Sequence, residues 1–576
     1  MQLASVDWII IIAFFVVTLL IGLFSFRSAG KDSSEFFLSG RNMPWWLLGV
    51  SMVATTFAAD TPNLVTGMVR KNGIAGNWEW WAFLLTGMVT VFIYARLWRR
   101  LGITTDLEFY EIRYSGKAAA FLRGFRALYL GVFFNVVIMA TVCVAAIKIG
   151  HTLLGMSAME TLLISSVVTV IYSMIGGFKG VILTDFFQFI VAMIGSVAAA
   201  WFVLDMPEIG GMKGLLSNPD VIARLEFVPD SSTHYDLWLS VLLIPLAVQW
   251  WSVWYPGSEP GGGGYIAQRM LAAKDEKHAT WATLFFNFAH YALRPWPWII
   301  VALASLIIFP EVADLEKAFP GLGKDFYQHD LAYPAMLTYL PAGLLGLVVA
   351  SLISAFMSTI STHLNWGSSY VVNDFYKRFV NKSATERAMV NLGRMSTVVM
   401  MLLAALLALI IDDAMEGFKL IMNIGAGTGS LFILRWFWKA INPWSEIAAM
   451  GISFFTALVF FINKKQEFAW FADPGQMELI ILVAVTTVGW VAVTFLTAKA
   501  SQVNPEFMQR AFGSENKFKN FGYKVLAIFL GCIAIYSALF SSGKFLFGEM
   551  QQGWLFCITC ILSTGTIYFL RRKIFS

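Results

Sequence analysis

The segment that decides the fold runs from Pro341 to Tyr376 and reads PAGLLGLVVASLISAFMSTISTHLNWGSSYVVNDFY. It holds no Asp, Glu, Lys or Arg before Asp374, and about 20 apolar residues are enough to cross a bilayer. It is therefore predicted to be a membrane-spanning helix. Its middle is rich in hydroxyl side chains, namely Ser351, Ser354, Ser358, Thr359, Ser361 and Thr362.

One face of this predicted helix offers oxygen atoms that carry no full charge. Its members follow the spacing i, i+3, i+4 and i+7 of a single helix face: Ala355, Ser358, Thr359 and Thr362. Sodium is a hard cation, and hard cations take oxygen ligands. Hydroxyls in membrane helices also permit close packing or bond to their own i−4 carbonyls. The pattern alone leaves both interpretations open.

The composition of the whole chain is that of a membrane protein. The chain has 576 residues, of which 58% are hydrophobic and 13% are charged, whereas soluble domains carry about 25% charged residues. Long apolar runs recur along nearly the entire length, which predicts an all-α polytopic fold embedded in the lipid bilayer. The net charge of +5 is spread over short loops, so it does not indicate a nucleic-acid partner.

Apolar runs between charged or Gly/Pro-rich clusters predict fifteen spans. Basic residues concentrate in alternate loops, which places the N-terminus outside and the C-terminus in the cytoplasm. The expected location is a cell (inner) membrane. The predicted spans lie near 6–26, 43–69, 77–98, 126–149, 159–176, 182–204, 237–255, 281–309, 334–376, 394–411, 417–438, 444–463, 478–498, 523–541 and 553–570.

Two of these spans carry the marks of a broken helix. The second, SMVATTFAADTPNLVTGMV, contains Asp60 and Pro62 in an otherwise apolar run. Proline removes a backbone donor, and an acid at mid-membrane costs about 2.5–3.5 kcal/mol. The seventh span contains Pro245 and ends in PGSEPGGGG. Interrupted spans at matching positions of two halves are typical of inverted-repeat transporters that bind their solute at the breaks.

This spacing divides the chain into five parts. The two repeats contain five spans each, and further helices flank them. The predicted parts are an extra N-terminal helix with its cytoplasmic loop (1–42), a first repeat (43–204), an extracytoplasmic loop (205–236), a second repeat (237–440) and about four accessory helices (441–576).

Several separated motifs give the sequence a recognisable character. In chain order they are FFLSGRNMPWW (36–46), IYSMIGGFKGVILTDFFQ (171–188), YIAQRMLAAKDEKHA (265–279), MSTIST (357–362) and GAGTGSLFILRWFWK (425–439). Together they resemble the sodium:solute symporter family, whose members import sugars, proline, sialic acid and similar solutes with sodium. The resemblance implies a fold like that of the bacterial leucine transporter, with two inverted five-helix repeats.

The resemblance also implies a sodium site between the first broken helix and the hydroxyl-lined helix. Its ligands would be backbone carbonyls of Ala58, Thr61 and Ala355 and the hydroxyls of Ser358 and Thr359. An unwound turn frees carbonyl oxygens, and a facing row of hydroxyls completes a shell of about five oxygens.

Some family members, notably sialic acid transporters, bind a second sodium one turn further along the same helix. The corresponding residues here are Asp185, Ser358, Ser361 and Thr362. Asp185 also has a simpler interpretation as a helix cap or a residue near the membrane edge, because Lys179 lies close to it in the sequence.

Candidates for solute binding point in two directions. Glu79 aligns with a sugar-binding glutamate of galactose-type members, whereas Asp60 occupies the place of an aspartate important in proline-type members, with Asn63 nearby. The remaining candidates on the seventh span are Gln249, Trp250 and Trp254. The PGSEPGGGG stretch is not typical of the family. We therefore expect a small polar organic solute, whether a sugar, an amino acid, sialic acid or a related compound.

These observations predict a sodium-coupled secondary active symporter and not an enzyme. A membrane-embedded enzyme is the first alternative, for which His363 beside the hydroxyl cluster is the one candidate residue. A transporter-like sensor is the second. Such proteins append a soluble signalling domain after their last span, whereas this sequence ends at Ser576 with a few basic residues.

Overall fold

A computed structural model describes residues 3–29, 33–232, 234–248, 259–321, 326–410, 422–465, 475–498, 503–513 and 520–575. These residues form helices joined by loops, with one isolated β-bridge between Met43 and Ala273. Within those ranges, eleven helices are long and apolar enough to cross a membrane, and three shorter apolar helices accompany them. The prediction of an all-α polytopic membrane protein is confirmed.

Nine main helices lie in the described part of residues 1–308. They are α1 (Ser5–Ala29), α2 (Trp45–Thr55), α3 (Asp60–Asn72), α4 (Ile74–Leu101), α5 (Gly116–Leu154), α6 (Ala158–Asp205), α7 (Tyr235–Ala247), α8 (Gly264–Ala272) and α9 (Glu276–Ile308). Helix α6 contains two predicted spans, separated by a break at Gly177 where φ is 54°. A positive φ of this kind is cheap only for glycine.

The rest of the chain adds α10 (Leu344–Val380), α11 (Glu386–Ala408), α12 (Gly429–Leu434), α13 (Pro443–Lys465), α14 (Glu478–Leu496), α15 (Phe521–Leu546) and α16 (Met550–Ile574). Short helices lie in the connections, at Ser33–Leu38, Glu108–Arg113, Gly211–Leu215, Pro219–Ile222, Val312–Ala318, Ala332–Leu337 and Pro505–Phe512. Each of the fifteen predicted spans contains helix in its described part, and parts of the spans 237–255, 394–411 and 417–438 lie outside the described residues.

The second span is broken where the sequence predicted it. Helix α2 ends at Thr55 and α3 begins at Asp60, so four residues between them lie outside regular helix. Pro62 lies in the first turn of α3, where its missing N–H would have no helical partner anyway. Asp60 lies in the same turn, where the helix dipole favours a carboxylate. In the seventh predicted span, Pro245 lies within helix α7, just after a π-helical turn at Trp238–Leu243. Residues 249–258, which include the start of PGSEPGGGG, lie outside the described residues.

Helix α10 occupies the centre of the bundle. It packs along α6, and it also contacts α1, α2, α5 and α11. Its hydroxyl-rich middle, from Ser351 to Thr362, is almost entirely buried. The hydroxyl-rich middle of α10 therefore faces protein, which is where polar groups in a membrane helix are tolerated.

A cluster of charges ties the end of α10 to the loops on the predicted cytoplasmic side. Arg378 donates to Glu111 at 2.8 Å and Arg123 donates to the same carboxylate at 2.7 Å. Arg123 also donates to Asp374 at 2.7 Å. Partial burial raises the pKa of Glu111, but the hydrogen bonds from Arg378 and Arg123 outweigh it and hold that pKa below its usual value.

We expect this cluster to make the stability of the folded protein depend on pH in the acid range. Since the pKa of Glu111 is lowered by folding, its contribution is complete above its unfolded pKa and is lost as the pH falls through the lowered value. We expect Glu111→Gln to cost about 1–3 kcal/mol at neutral pH, and the gap to wild type to close below about pH 4. Thermal unfolding between neutral and acid pH measures this, with exposed Glu316→Gln as the control. A gap independent of pH would contradict the assignment.

Candidate functional site

The break between α2 and α3 lies beside α10, and a hydrogen bond joins α10 to the last residue of α2. The Thr359 hydroxyl of α10 donates to the backbone carbonyl of Thr55 at 2.8 Å. Within the break, Thr61 donates to the Thr56 carbonyl at 3.4 Å, and its hydroxyl accepts from the Ala58 N–H at 3.2 Å. Ala58, Thr61 and Thr359 line one cavity of about 130 Å³. Backbone and hydroxyl oxygens therefore converge here.

The other two predicted ligands of this sodium site lie on the same stretch of α10. Ala355 is buried one turn before Thr359. The Ser358 hydroxyl is buried as well, but it donates to the Asp185 carboxylate at 2.7 Å. Ser358 is therefore bonded to a residue of the predicted second site and does not belong to the lining of the cavity at the break.

The residues predicted to form the second site meet only in part. Asp185, Ser358 and Thr362 lie together and are buried, and Ser51 of α2 joins them by donating to Asp185 at 2.5 Å. Ser361 instead donates to the carbonyl of Ser358 on its own helix, at 3.2 Å. Its hydroxyl therefore bonds within its own helix, which agrees with the alternative interpretation that hydroxyls in this helix bond to the preceding turn.

Arg269 of α8 is the residue of this cluster that the sequence reasoning missed. Its guanidinium is fully buried and lies 3.5 Å from the Asp185 carboxylate. It donates to Thr362 at 2.8 Å and to Ser51 at 3.1 Å. A cation supplied by the chain itself therefore sits among the predicted ligands of the second ion. The arginine stands in the motif YIAQRMLAAKDEKHA, but helical periodicity does not tell which other helices a residue of α8 contacts.

The cavity beside the break is lined by charged, polar and apolar side chains. Asp60 from α3 and Arg294 from α9 both line it. Trp80, His290 and His363 line it as well. The aliphatic side chains that complete the wall are Leu64, Val65, Met68, Ile138 and Val142.

Only one of the predicted solute-binding residues that the structure describes lines the cavity. Asp60 lines the cavity, whereas Asn63 and Glu79 do not belong to its lining. Asn63 is buried outside the stripe of α3 that faces the cavity, which runs through Asp60, Thr61, Leu64, Val65 and Met68. Trp80, and not its neighbour Glu79, points to the cavity. Gln249, Trp250 and Trp254 lie outside the described residues.

His290 and Arg294 belong to this cavity, although neither was singled out from the sequence. A π-helical turn at Ala289–Leu293 interrupts α9, with His290 inside it and Arg294 directly after it, and such turns are frequent at functional sites. Thr56 donates its one hydroxyl proton to the Val53 carbonyl at 2.9 Å. His290 Nδ1, 3.0 Å away, is then the donor to Thr56, and its Nε2 accepts from Arg294 at 3.4 Å. This chain of bonds connects Arg294 to the helix break.

The profile of the sodium:solute symporter family matches residues 36–452. The chain belongs to the sodium:solute symporter family. A sodium/glucose cotransporter of Vibrio parahaemolyticus is 23% identical over 520 residues, covering 88% of this chain and 92% of the relative. A sodium/myo-inositol cotransporter of Mus musculus is 27% identical over 474 residues, covering 76% and 64%. These relatives are cotransporters, which confirms the prediction of a transporter and not an enzyme.

A solved structure shows the same fold. It is the substrate-bound, outward-open state of a sodium-coupled sialic acid symporter, which matches with a TM-score of 0.66 at 18% identity, over 86% of this chain and 98% of that one. The fold of this symporter-family chain is therefore LeuT-like, with two inverted five-helix repeats and added helices at both ends. Similarity at this level of identity speaks for the fold alone.

Proposed function

We propose that this family member couples the inward movement of sodium to the uptake of a small polar organic solute by alternating access. The observation that carries the proposal is the contact between Thr359 and the Thr55 carbonyl, at 2.8 Å across the helix break. It brings a hydroxyl of α10 to a carbonyl oxygen at the end of α2, next to the break. Relative movement of the repeats changes this contact, so an ion bound here favours one conformation over another.

The oxygens at the break suit a monovalent hard cation. The proposed ligands are the carbonyls of Ala58, Thr61 and Ala355 and the hydroxyls of Ser358 and Thr359. All are neutral, and sodium needs only oxygen lone pairs from the protein. Sodium here is transported cargo, and the solute would bind in the adjoining cavity lined by Thr61 and Thr359.

We assign one coupling sodium and not two. Arg269 lies 3.5 Å from Asp185 and donates to Thr362. A second ion at Asp185, Ser358, Ser361 and Thr362 would have to share the carboxylate with this guanidinium. A buried carboxylate that already has a cationic partner gains less from another cation.

Uptake into proteoliposomes tests both the function and the number of ions. With an inward sodium gradient and a pool of labelled sugars, amino acids and carboxylates, we expect uptake in sodium and none in choline. One sodium entering down a further 100 mV of membrane potential adds about 2.3 kcal/mol, which multiplies solute accumulation about 45-fold. Two would multiply it about 2,000-fold. Accumulation that is the same in choline would refute sodium coupling, and the steeper voltage response would refute the single ion.

The proposed orientation puts the C-terminus in the cytoplasm of a cell membrane. It is supported by Arg96, Arg100, Lys277, Arg378 and Arg571, which lie on loops or helix ends of the same predicted side, as the positive-inside rule requires. Labelling a cysteine introduced after Ile574 from one side of sealed vesicles tests it.

A further inference from the structure

The cavity beside the break presents two opposite charges to whatever binds there. Asp60 and Arg294 both line it, and they come from different helices, α3 and α9. Within the part of the chain that the structure describes, no basic side chain forms an ion pair with Asp60 within 4 Å. Its carboxylate is stabilised at the first turn of α3 and remains available to a ligand with a positive group.

The Arg294 guanidinium is held in a fixed place. It is 1% exposed, and its Nε donates to the His290 carbonyl at 3.2 Å. One terminal nitrogen donates to the Val53 carbonyl and the Thr56 hydroxyl at 3.5 Å each, and its Cζ lies 5.4 Å from the centroid of the Trp298 ring. Guanidinium is a rigid planar fork that matches a carboxylate by two parallel hydrogen bonds. A group in this position suits a carboxylate better than it suits single hydroxyls.

Five aliphatic side chains form part of the cavity lining, and three of them lie on the same helix as Asp60. Leu64, Val65, Met68, Ile138 and Val142 supply neither donors nor acceptors from their side chains. A hexose or an inositol carries hydroxyls around its whole ring, and hydroxyls placed against such a wall lose their hydrogen bonds to water without replacement. An aliphatic side chain loses nothing there and gains from leaving water.

We propose that the solute is a zwitterionic amino acid with a small aliphatic side chain. Asp60 binds its ammonium group, Arg294 binds its carboxylate group, and the aliphatic wall receives its side chain. This assignment rests on the symport function proposed above and makes it specific. It also separates this chain by cargo from the sugar and inositol cotransporters that it resembles in sequence.

The same arrangement gives solute and sodium a common point of contact. The carboxylate-binding Arg294 donates to His290, which donates to Thr56 in the break. The neighbouring residue Thr55 provides the carbonyl that Thr359 contacts. Sodium that orders the break therefore also orders the residues behind Arg294, and solute on Arg294 stabilises the break for sodium. Binding of each is expected to strengthen binding of the other.

Ligands that each lack one charge test the two contacts. The probes are L-alanine, L-valine, L-leucine and L-proline, together with isobutylamine, which is valine without its carboxylate, and isovalerate, which is valine without its amine. Glucose, galactose and myo-inositol are the competitors. We measure the thermal midpoint of the purified full chain with and without sodium. The expected result is stabilisation by at least one amino acid, stronger in sodium, with isobutylamine and isovalerate about 10- to 100-fold weaker than valine.

Two variants assign each charge to its residue. In Asp60→Asn the advantage of valine over isovalerate should disappear, while its advantage over isobutylamine remains. In Arg294→Gln the advantage of valine over isobutylamine should disappear, while its advantage over isovalerate remains. A purely structural role of either residue would weaken all ligands alike. Thr152→Val changes a buried threonine of α5 that does not line this cavity and that donates to the Lys148 carbonyl of its own helix at 2.8 Å, so it should alter valine affinity less than threefold.

The outcomes separate the cargo from the coupling. Stabilisation by sodium alone shows that each variant is folded and that its ion site works, whatever the solute. If sodium stabilises the protein but glucose, galactose or myo-inositol acts and no amino acid does, the cargo assignment is overturned and the symport proposal stands. If sodium acts and no amino acid has any effect, the cargo assignment falls as well. If amino acids bind without any influence of sodium, the symport proposal fails instead.

Discussion

Replacing Arg269 by methionine is expected to destabilise the folded protein by about 3–5 kcal/mol, because it leaves a buried carboxylate without its cation. Asp185 and Arg269 are both fully buried and lie 3.5 Å apart. The guanidinium also donates to Ser51 and Thr362, so its loss removes hydrogen bonds that hold α8 against α2 and α10. Thermal unfolding of the purified protein measures the loss.

A double variant shows whether charge is the cause. Asp185→Asn combined with Arg269→Met removes both charges, and the pair should recover more than half of the stability that the single arginine variant loses. Lys277→Met, an exposed residue at the start of α9, is the matched control and should change stability by less than about 0.5 kcal/mol. Equal losses in the single and the double variant would show that Arg269 does not serve Asp185.

Replacing Thr359 by valine is expected to weaken sodium binding about 10- to 100-fold. Valine keeps the shape of threonine but removes the oxygen that meets the break at Thr55. Thr359→Ser keeps the oxygen and should retain affinity within about threefold of wild type, since only a methyl group is lost. Binding of radioactive sodium to the purified protein gives the affinity and the number of ions, which we expect to be one.

Thr141→Val provides the control for sodium binding, because Thr141 lines the same cavity as Thr359. The Thr141 hydroxyl donates to the Ile138 carbonyl of its own helix at 2.8 Å, so it takes no part in the proposed ion site. Its loss should leave sodium affinity within about twofold. If the Thr141 and Thr359 variants behaved alike, the ion would have to bind elsewhere.

The sequence predicted those parts of the structure that depend on one helix at a time. Apolar runs located the spans, and the Asp60–Thr61–Pro62 segment located the break, because a mid-membrane acid followed by proline disfavours continuous helix. The face of α10 that carries Thr359 followed from helical periodicity. The family resemblance then supplied the pairing of that face with the break.

The site residues that could not be predicted are those whose position depends on how the helices are rotated against one another. Glu79 and Trp80 are neighbours in the sequence, yet only Trp80 lines the cavity, and periodicity gives no phase for so short a helix. His290 and Arg294 reach the cavity from a π-helical turn, which shifts the face of α9 from the one that regular α-helical spacing would give. Arg269 lies on the short helix α8, and its bonds to Ser51 and Thr362 depend on how that helix packs against α2 and α10. The arginine within the motif YIAQRMLAAKDEKHA was the available clue.

Thermal unfolding in sodium against potassium tests the central claim most directly, because it needs no knowledge of the solute. The proposed site at the break predicts that the midpoint of the wild-type protein rises with sodium concentration until it saturates, as expected for a ligand that binds only the folded state. Potassium at the same ionic strength should not raise it, and Thr359→Val should require far more sodium. Equal midpoints in the two salts, or a sodium response unchanged in Thr359→Val, would contradict the site.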